Sequence, residues 1–172
     1  MQQWFLYFVG TTLMGLMLKA LVRQYVCFRI IVPTSSMAPT IQPGDHILVR
    51  HQTGIDRAQR GALLVFRSTQ HQKGDGSVLM IKRLIGLPGE TIELRKGDLL
   101  VNGQVTPEQY IEFQHTFDGK YLVPGGCYLF LGDNRPASHD ARYWDVPWVR
   151  EKEIIARAGL RIWPVRRFGF IQ

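Results

Sequence analysis

Residues Trp4 to Val22 form one apolar run, WFLYFVGTTLMGLMLKALV, in which Lys19 is the sole charge among nineteen residues. As an α-helix this run is roughly 28 Å long, close to the ~30 Å hydrocarbon core of a bilayer. Trp4 and Tyr7 stand at one end and Arg23 and Tyr25 at the other, where interfacial anchors belong. Lys19 lies close enough to the end for its ammonium to reach headgroups while its stem stays in lipid. A cleaved signal peptide would begin with Lys or Arg and end at a small-residue site, and neither is evident. The expectation is a retained single membrane-spanning anchor over residues 1–22. Charge alone points the wrong way for export: Lys19, Arg23 and Arg29 follow the run and no Lys or Arg precedes it.

Beyond Arg29 the pattern changes to brief β-rich runs separated by turn residues, and no segment sustains a helical period. The candidate strands are Ile47–Val49, Ala62–Phe66, Val78–Ile85, Thr91–Leu94, Leu99–Val101, Tyr121–Val123, Tyr128–Leu131 and Ile154–Trp163. Asn102-Gly103 predicts a type I′ hairpin, which needs positive φ at both central positions. Pro43-Gly44, Pro88-Gly89 and Pro124-Gly125-Gly126 supply further turns, and the polar Gln70–Ser77 reads as a surface loop. Residues 23–172 are therefore expected to form one compact all-β domain of coiled antiparallel sheets, with 93–126 as a short inserted β subregion.

Composition narrows the chemistry. Two cysteines exclude a disulfide framework and any four-cysteine metal site. The five histidines (His46, His51, His71, His115 and His139) show no metal-ligand spacing, so neither metal nor cofactor is expected. A net charge of +7 suits an anionic partner, nucleic acid or lipid. The basic residues are scattered, with Arg161, Arg166 and Arg167 the one cluster, and no nucleic-acid motif is present. A lipid surface is the better reading.

Two segments can carry chemistry. Pro33-Thr34-Ser35-Ser36-Met37-Ala38-Pro39-Thr40 sets hydroxyls between prolines that stiffen the backbone, just past the apolar run. In Val78–Gly89, Lys82 and Arg83 interrupt an apolar strand and must face opposite sides, so one of them shares a face with Met80 and Leu84. An edge lysine that deters aggregation is one reading. The other is a desolvated lysine whose lowered pKa makes it a general base toward a serine hydroxyl. Ser138-His139-Asp140 is no triad by itself, because adjacent extended residues point to opposite faces.

The segments PTSSMAPTIQPGDHILV, MIKRLIGLPGE and LGDNRPASHDARYW, in this order behind an apolar anchor, closely resemble the type I signal peptidases. These are Ser–Lys membrane proteases that remove signal peptides, within the superfamily that includes the SOS-repressor autoproteases. The resemblance spans nearly the whole chain. It implies Ser36 as nucleophile and Lys82 as its neutral general base, forty-six positions apart. It implies that Thr34 assists the oxyanion hole and that Ser138 orients the lysine. Asp140 and Arg142 are implied as a charged pair bracing the loop, and Asp133 and Arg83 as scaffold. A pocket for small side chains is implied at Val32, Pro33, Ile41, Met80 and Ile81, with the substrate adding as a strand. An apolar surface beside Ser36, including Met37, is expected to rest on the bilayer.

The partners implied are signal peptides of exported preproteins and the lipid bilayer, with no nucleic acid. The protein is expected to be a monomer, single-pass in the plasma (inner) membrane, with its catalytic domain on the extracytoplasmic side. Large domains translocate largely regardless of nearby charge, which answers the orientation conflict. Two departures from the family pattern stand out: Asp145 after Tyr143-Trp144, where glycine is usual, and Glu90 in place of aspartate. Cys27 and Cys127 are expected to be unpaired. The alternatives are a dedicated processing peptidase of a conjugative or pilin system and an inactive anchored domain that only binds signal peptides.

Overall fold

A computed structural model describes residues 2–25, 27–51, 59–68, 78–112 and 116–171. The polar stretch Gln70–Ser77 and the side chains of Lys19, Arg23 and Tyr25 lie outside the described residues.

Helix α1 covers Gln2–Tyr25, and its strongest contact is with the strand that follows, β1 (Cys27–Ile31). Leu13, Met14, Leu16, Met17 and Leu18 on α1 are all exposed. Among the described residues, however, no helix is both long and apolar enough to cross a membrane. The helix expected in this region is present, and its membrane-spanning character is left without that support.

The remaining strands are β2 (His46–His51), β3 (Leu63–Ser68), β4 (Val78–Gly86), β5 (Thr91–Arg95), β6 (Asp98–Val101), β7 (Gln104–Val105), β8 (Gly119–Leu122), β9 (Cys127–Leu131), β10 (Val149–Arg150), β11 (Ile154–Trp163) and β12 (Gly169–Phe170). All pair antiparallel. One sheet runs β1-β2-β11-β3-β4-β9-β10 with β12 on β11, and a smaller one runs β7-β6-β5-β8. The mainly-β expectation therefore holds, and the longer candidate runs all form strands. Strands β1, β7, β10 and β12 were not anticipated; three of them are only two residues long, too short to show a period. Asn102 and Gly103 have φ of 51° and 82° and close the β6–β7 hairpin, with Val101 opposite Gln104.

Both faces of β3 are buried, which explains why it reads as a continuous apolar run rather than an alternating one. Leu64 and Phe66 point into one cluster with Leu84, Leu129 and Phe130, where the rings of Phe66 and Phe130 lie 4.7 Å apart. Leu63 and Val65 point into the other, with Val32, Met37, Ile41, Ile47 and Val49. Each such side chain contributes about 1.5–3 kcal/mol on burial. Strand β5 alternates half-buried with buried positions, as a strand with one wet face does.

The central strand β4 is asymmetric. Its start is exposed and its end fully buried. Strand β3 pairs with β4 from Val78 to Arg83, but β9 joins the opposite edge only from Arg83 onward. Among the described residues, Val78–Lys82 therefore has one edge without a partner strand.

Candidate active site

Ser36 sits in the turn that joins β1 to β2. The carbonyl of Ser35 accepts the Ala38 N–H at 3.0 Å and that of Met37 accepts the Ile41 N–H at 2.8 Å, so the segment is tightly wound. Met37 is its anchor: fully buried, it packs among Val32, Ile41 and Val65. This corrects the expectation that Met37 lies on a bilayer-facing surface. An unbranched side chain beside a polar turn fills the core below and holds Ser36 above it. The Thr34 and Ser36 hydroxyls lie 3.3 Å apart, and either one can donate.

Lys82 reaches the same region from β4. It is 2% exposed, and its Nζ donates to Ser138 Oγ at 3.0 Å. Burial lowers the amine from 10.5 to about 8, against the raising effects of Asp140 and Asp133 and together with the lowering effect of Arg142. An ammonium excluded from water loses hydration that one hydroxyl does not replace.

The loop after β9 ties serine and lysine together. The backbone N–H of Asn134 donates to the Ser36 carbonyl at 3.1 Å, and its side-chain amide donates to the Ser35 carbonyl at 3.2 Å. Gly132 lies between the two partners, since a Cβ there would stand 2.1 Å from Ser138 Oγ and 2.5 Å from the Ser36 carbonyl oxygen. Only glycine permits so close an approach. Asp140 braces the loop from within: it accepts from the Gly132 N–H at 2.9 Å and from Arg142 Nε at 2.7 Å and Nη2 at 2.9 Å. Asp133 accepts from Arg83 Nε at 2.8 Å and Nη2 at 2.6 Å, and from the Thr40 hydroxyl at 2.6 Å. Both ion pairs are buried and two-pronged, the geometry that orients a loop rather than merely attracting it.

Of the five pocket positions, Val32, Pro33, Met80 and Ile81 line a groove of about 250 Å³ together with Ile30, Ile31, Val65 and Leu79. Ile41 does not line it; it is fully buried beneath, in the cluster with Met37. The groove lies beside the unpartnered edge of β4. No group of three or more His, Cys, Asp or Glu side chains among the described residues converges to hold a metal ion. Cys27 and Cys127 are free thiols.

Thr40 and Asp45 carry no chemical signal of their own in the sequence, yet the Thr40 hydroxyl donates to Asp133 at 2.6 Å. Asp45 holds Arg161 and Arg167, both at 3.1 Å, and so ties the turn after Ser36 to the C-terminal segment. Glu90, the departure from aspartate, accepts the Leu87 N–H at 2.7 Å and pairs with Arg60.

A buried amine held by the Ser138 hydroxyl, joined through the Gly132–Asn134 loop to the Ser36 turn and set beside an apolar groove, suits hydrolysis of an acyl bond, and the family match shows that the chain is a peptidase. Residues 2–163 match the family model described as signal peptidase, peptidase S26, and the chain belongs to that family. It is 37% identical over 153 residues to the signal peptidase I of Leptolyngbya laminosa, covering 86% of this chain and 74% of that protein. To the probable signal peptidase I-2 of Synechocystis sp. it is 34% identical over 167 residues, covering 95% and 76%. A crystal structure of a signal peptidase I from Enterococcus faecalis V583 superposes with a TM-score of 0.50 at 32% identity, covering 58% of this chain and 94% of that one.

Proposed function

We propose that this chain is a membrane-anchored endopeptidase that removes signal peptides from exported preproteins, with Ser36 as nucleophile and Lys82 as general base. The observation that carries the reading is the state of Lys82: almost wholly buried, held by Ser138 Oγ at 3.0 Å, and lowered to about 8. An amine so placed is substantially neutral at mildly alkaline pH and able to accept the serine proton.

In the forward step Ser36 Oγ attacks the scissile carbonyl carbon as its proton passes to Lys82 Nζ. The tetrahedral oxyanion is met by the Ser36 N–H and the Thr34 hydroxyl, donors worth roughly 2.7–4 kcal/mol each in acyl transfer. Lys82 then returns the proton to the departing amine, which is the new N-terminus of the mature protein. A water then attacks the ester carbonyl as Lys82 Nζ takes its proton, and Lys82 passes that proton to Ser36 Oγ as the bond to the signal peptide breaks. Ser138 keeps the lysine on line throughout.

The free edge of β4 over Val78–Ile81 accommodates the substrate as an added strand, with small side chains entering the groove between β4 and the Ile30–Pro33 segment. Helix α1, 24 residues long with exposed Leu13, Met14, Leu16, Met17 and Leu18, is the anchor in this reading. The 1–22 segment spans the plasma membrane once, and the 23–172 domain acts on its extracytoplasmic face. In this reading the enzyme works as a monomer.

The test is processing of a preprotein in vesicles by the wild type, Ser36→Ala and Lys82→Met. Ser36→Ala and Lys82→Met are each expected to lower kcat by roughly 10⁴–10⁶-fold. Equal processing by all three sinks the assignment.

A further inference from the structure

The small inserted sheet reaches back to the active-site loop through the segment after β7. Arg135, in that loop, is among the largest fully buried side chains of the protein, 1% exposed. Its Nη2 donates to Glu108 Oε1 at 2.5 Å, and its Nε donates to the Gly132 carbonyl at 3.1 Å. The Tyr110 hydroxyl donates to the same Glu108 oxygen at 2.6 Å, while its ring lies 3.8 Å from the Arg83 guanidinium carbon. Burial and Glu108 push Tyr110 well above the ordinary tyrosine value, so it remains a donor. Arg83 in turn grips Asp133. One short stretch of the insertion therefore touches two buried arginines, Arg135 within the Gly132–Arg142 loop and Arg83, which grips that loop through Asp133.

A buried guanidinium demands a counter-charge. Glu108 supplies one to Arg135, and its side chain is itself only 8% exposed. The main chain of Arg135 is held as well, because Arg142 Nη2 donates to its carbonyl at 2.6 Å. The same loop receives Ser36 through Asn134 and presents Ser138 to Lys82. Its position therefore decides whether nucleophile and base meet.

We propose that Glu108 is a positioning residue for peptide hydrolysis: by holding the buried Arg135, the insertion fixes the Gly132–Arg142 loop and so sets Ser138 against Lys82. The inference rests on the Ser36–Lys82 reading above. Glu108 touches no reacting atom and acts through two intermediaries.

The experiment measures kcat and KM on a signal-peptide substrate across pH, using full chain in vesicles. The proteins compared are the wild type, Glu108→Gln, Glu108→Asp and Tyr110→Phe. Glu93→Gln serves as a control, since Glu93 lies in the same insertion but pairs with exposed Arg95 and Lys120. Misplacement of about an ångström from a distant change costs up to about 10²-fold, so Glu108→Gln is expected to lower kcat roughly ten- to a hundred-fold. KM should hold, because the groove and the β4 edge are untouched. The rising limb of the pH profile should move alkaline, since a loosened loop admits water to Lys82. Glu108→Asp keeps the charge and should recover part of the rate. A Glu108→Gln protein that melts earlier yet keeps wild-type kcat and pH profile while folded has only a structural role, and overturns the proposal. Should Glu108→Gln fail to fold, Tyr110→Phe decides in the same way: a smaller shift in the same direction sustains the proposal, and none overturns it. Wild-type activity that survives Ser36→Ala sinks the underlying reading instead, a result the Glu108 arm does not produce.

Discussion

Lys82 Nζ donates to Ser138 Oγ at 3.0 Å, across 56 positions of sequence. That bond joins the middle of the central strand to a loop beyond the inserted sheet. It matters because the lysine is otherwise enclosed, and its basicity is set by what encloses it.

A general base must be neutral to act, so the pH dependence follows from the lowered amine. With Lys82 at about 8, activity should be weak under acidic conditions and rise as the amine deprotonates. Between pH 7 and 9, kcat/KM is expected to increase about ten-fold, following the neutral fraction. A profile measured on a soluble peptide substrate checks this. A flat profile across that interval would contradict the assignment of Lys82.

The same shift makes a prediction about stability that needs no activity assay. The folded amine sits below its unfolded value, so between about 8 and 10.5 the unfolded chain holds more protons and stability rises with pH. Below about pH 8 the burden is complete, about 3 kcal/mol at 1.36 kcal/mol per pKa unit. Lys82→Met should therefore raise Tm at pH 7, with the advantage shrinking as pH climbs toward 10.5. Melting curves of the two proteins across pH provide the measurement.

Gly132→Ala should separate activity from folding. The added methyl would meet Ser138 Oγ at 2.1 Å and the Ser36 carbonyl at 2.5 Å, so both partners must move. Overpacking of this kind costs about 1–3 kcal/mol in stability. If Ser36 and Lys82 act as proposed, displacing the Ser36 turn and Ser138 together should cost about 10²-fold in kcat. Calorimetry alongside single-substrate kinetics reports the two effects separately.

Substrate choice should follow the groove. Ile81 and Met80 help to line a volume of about 250 Å³, and shortening either enlarges it. Ile81→Ala is expected to improve cleavage after valine relative to alanine by about ten-fold, the scale of a methylene or two in an apolar pocket. Ile41→Ala is expected to do otherwise. Ile41 lies beneath the turn and not in the groove, so its truncation should cost about 2–5 kcal/mol of stability while leaving selectivity unchanged. Competition between peptides differing only at the residue before the scissile bond tests both.

The inserted sheet shows how far local pattern reaches. Asn102-Gly103 announced its hairpin because positive φ is a property of the residues themselves. Glu108 and Tyr110 announced nothing. A glutamate and a tyrosine after a proline are ordinary surface residues until the fold brings Arg135 and Arg83 beneath them. Met37, expected on a bilayer-facing apolar surface beside Ser36, is instead buried against Leu63 and Val65 of β3, a contact that no local pattern specifies.

The order of apolar and turn residues, readable along the chain, determined the β-rich domain behind an N-terminal helix, while Ser36, Lys82, Ser138, Asp140 and Arg142 were implied by the family resemblance that the ordered motifs carry. Those signals are local, or are carried by residue identity. Tertiary structure decided the exclusion of water from Lys82, its hydroxyl partner, the unpartnered edge of β4, and the clamp on Arg135. Each of these depends on which distant segments share a volume. A lysine's charge is decided by its surroundings, and surroundings exist only after folding.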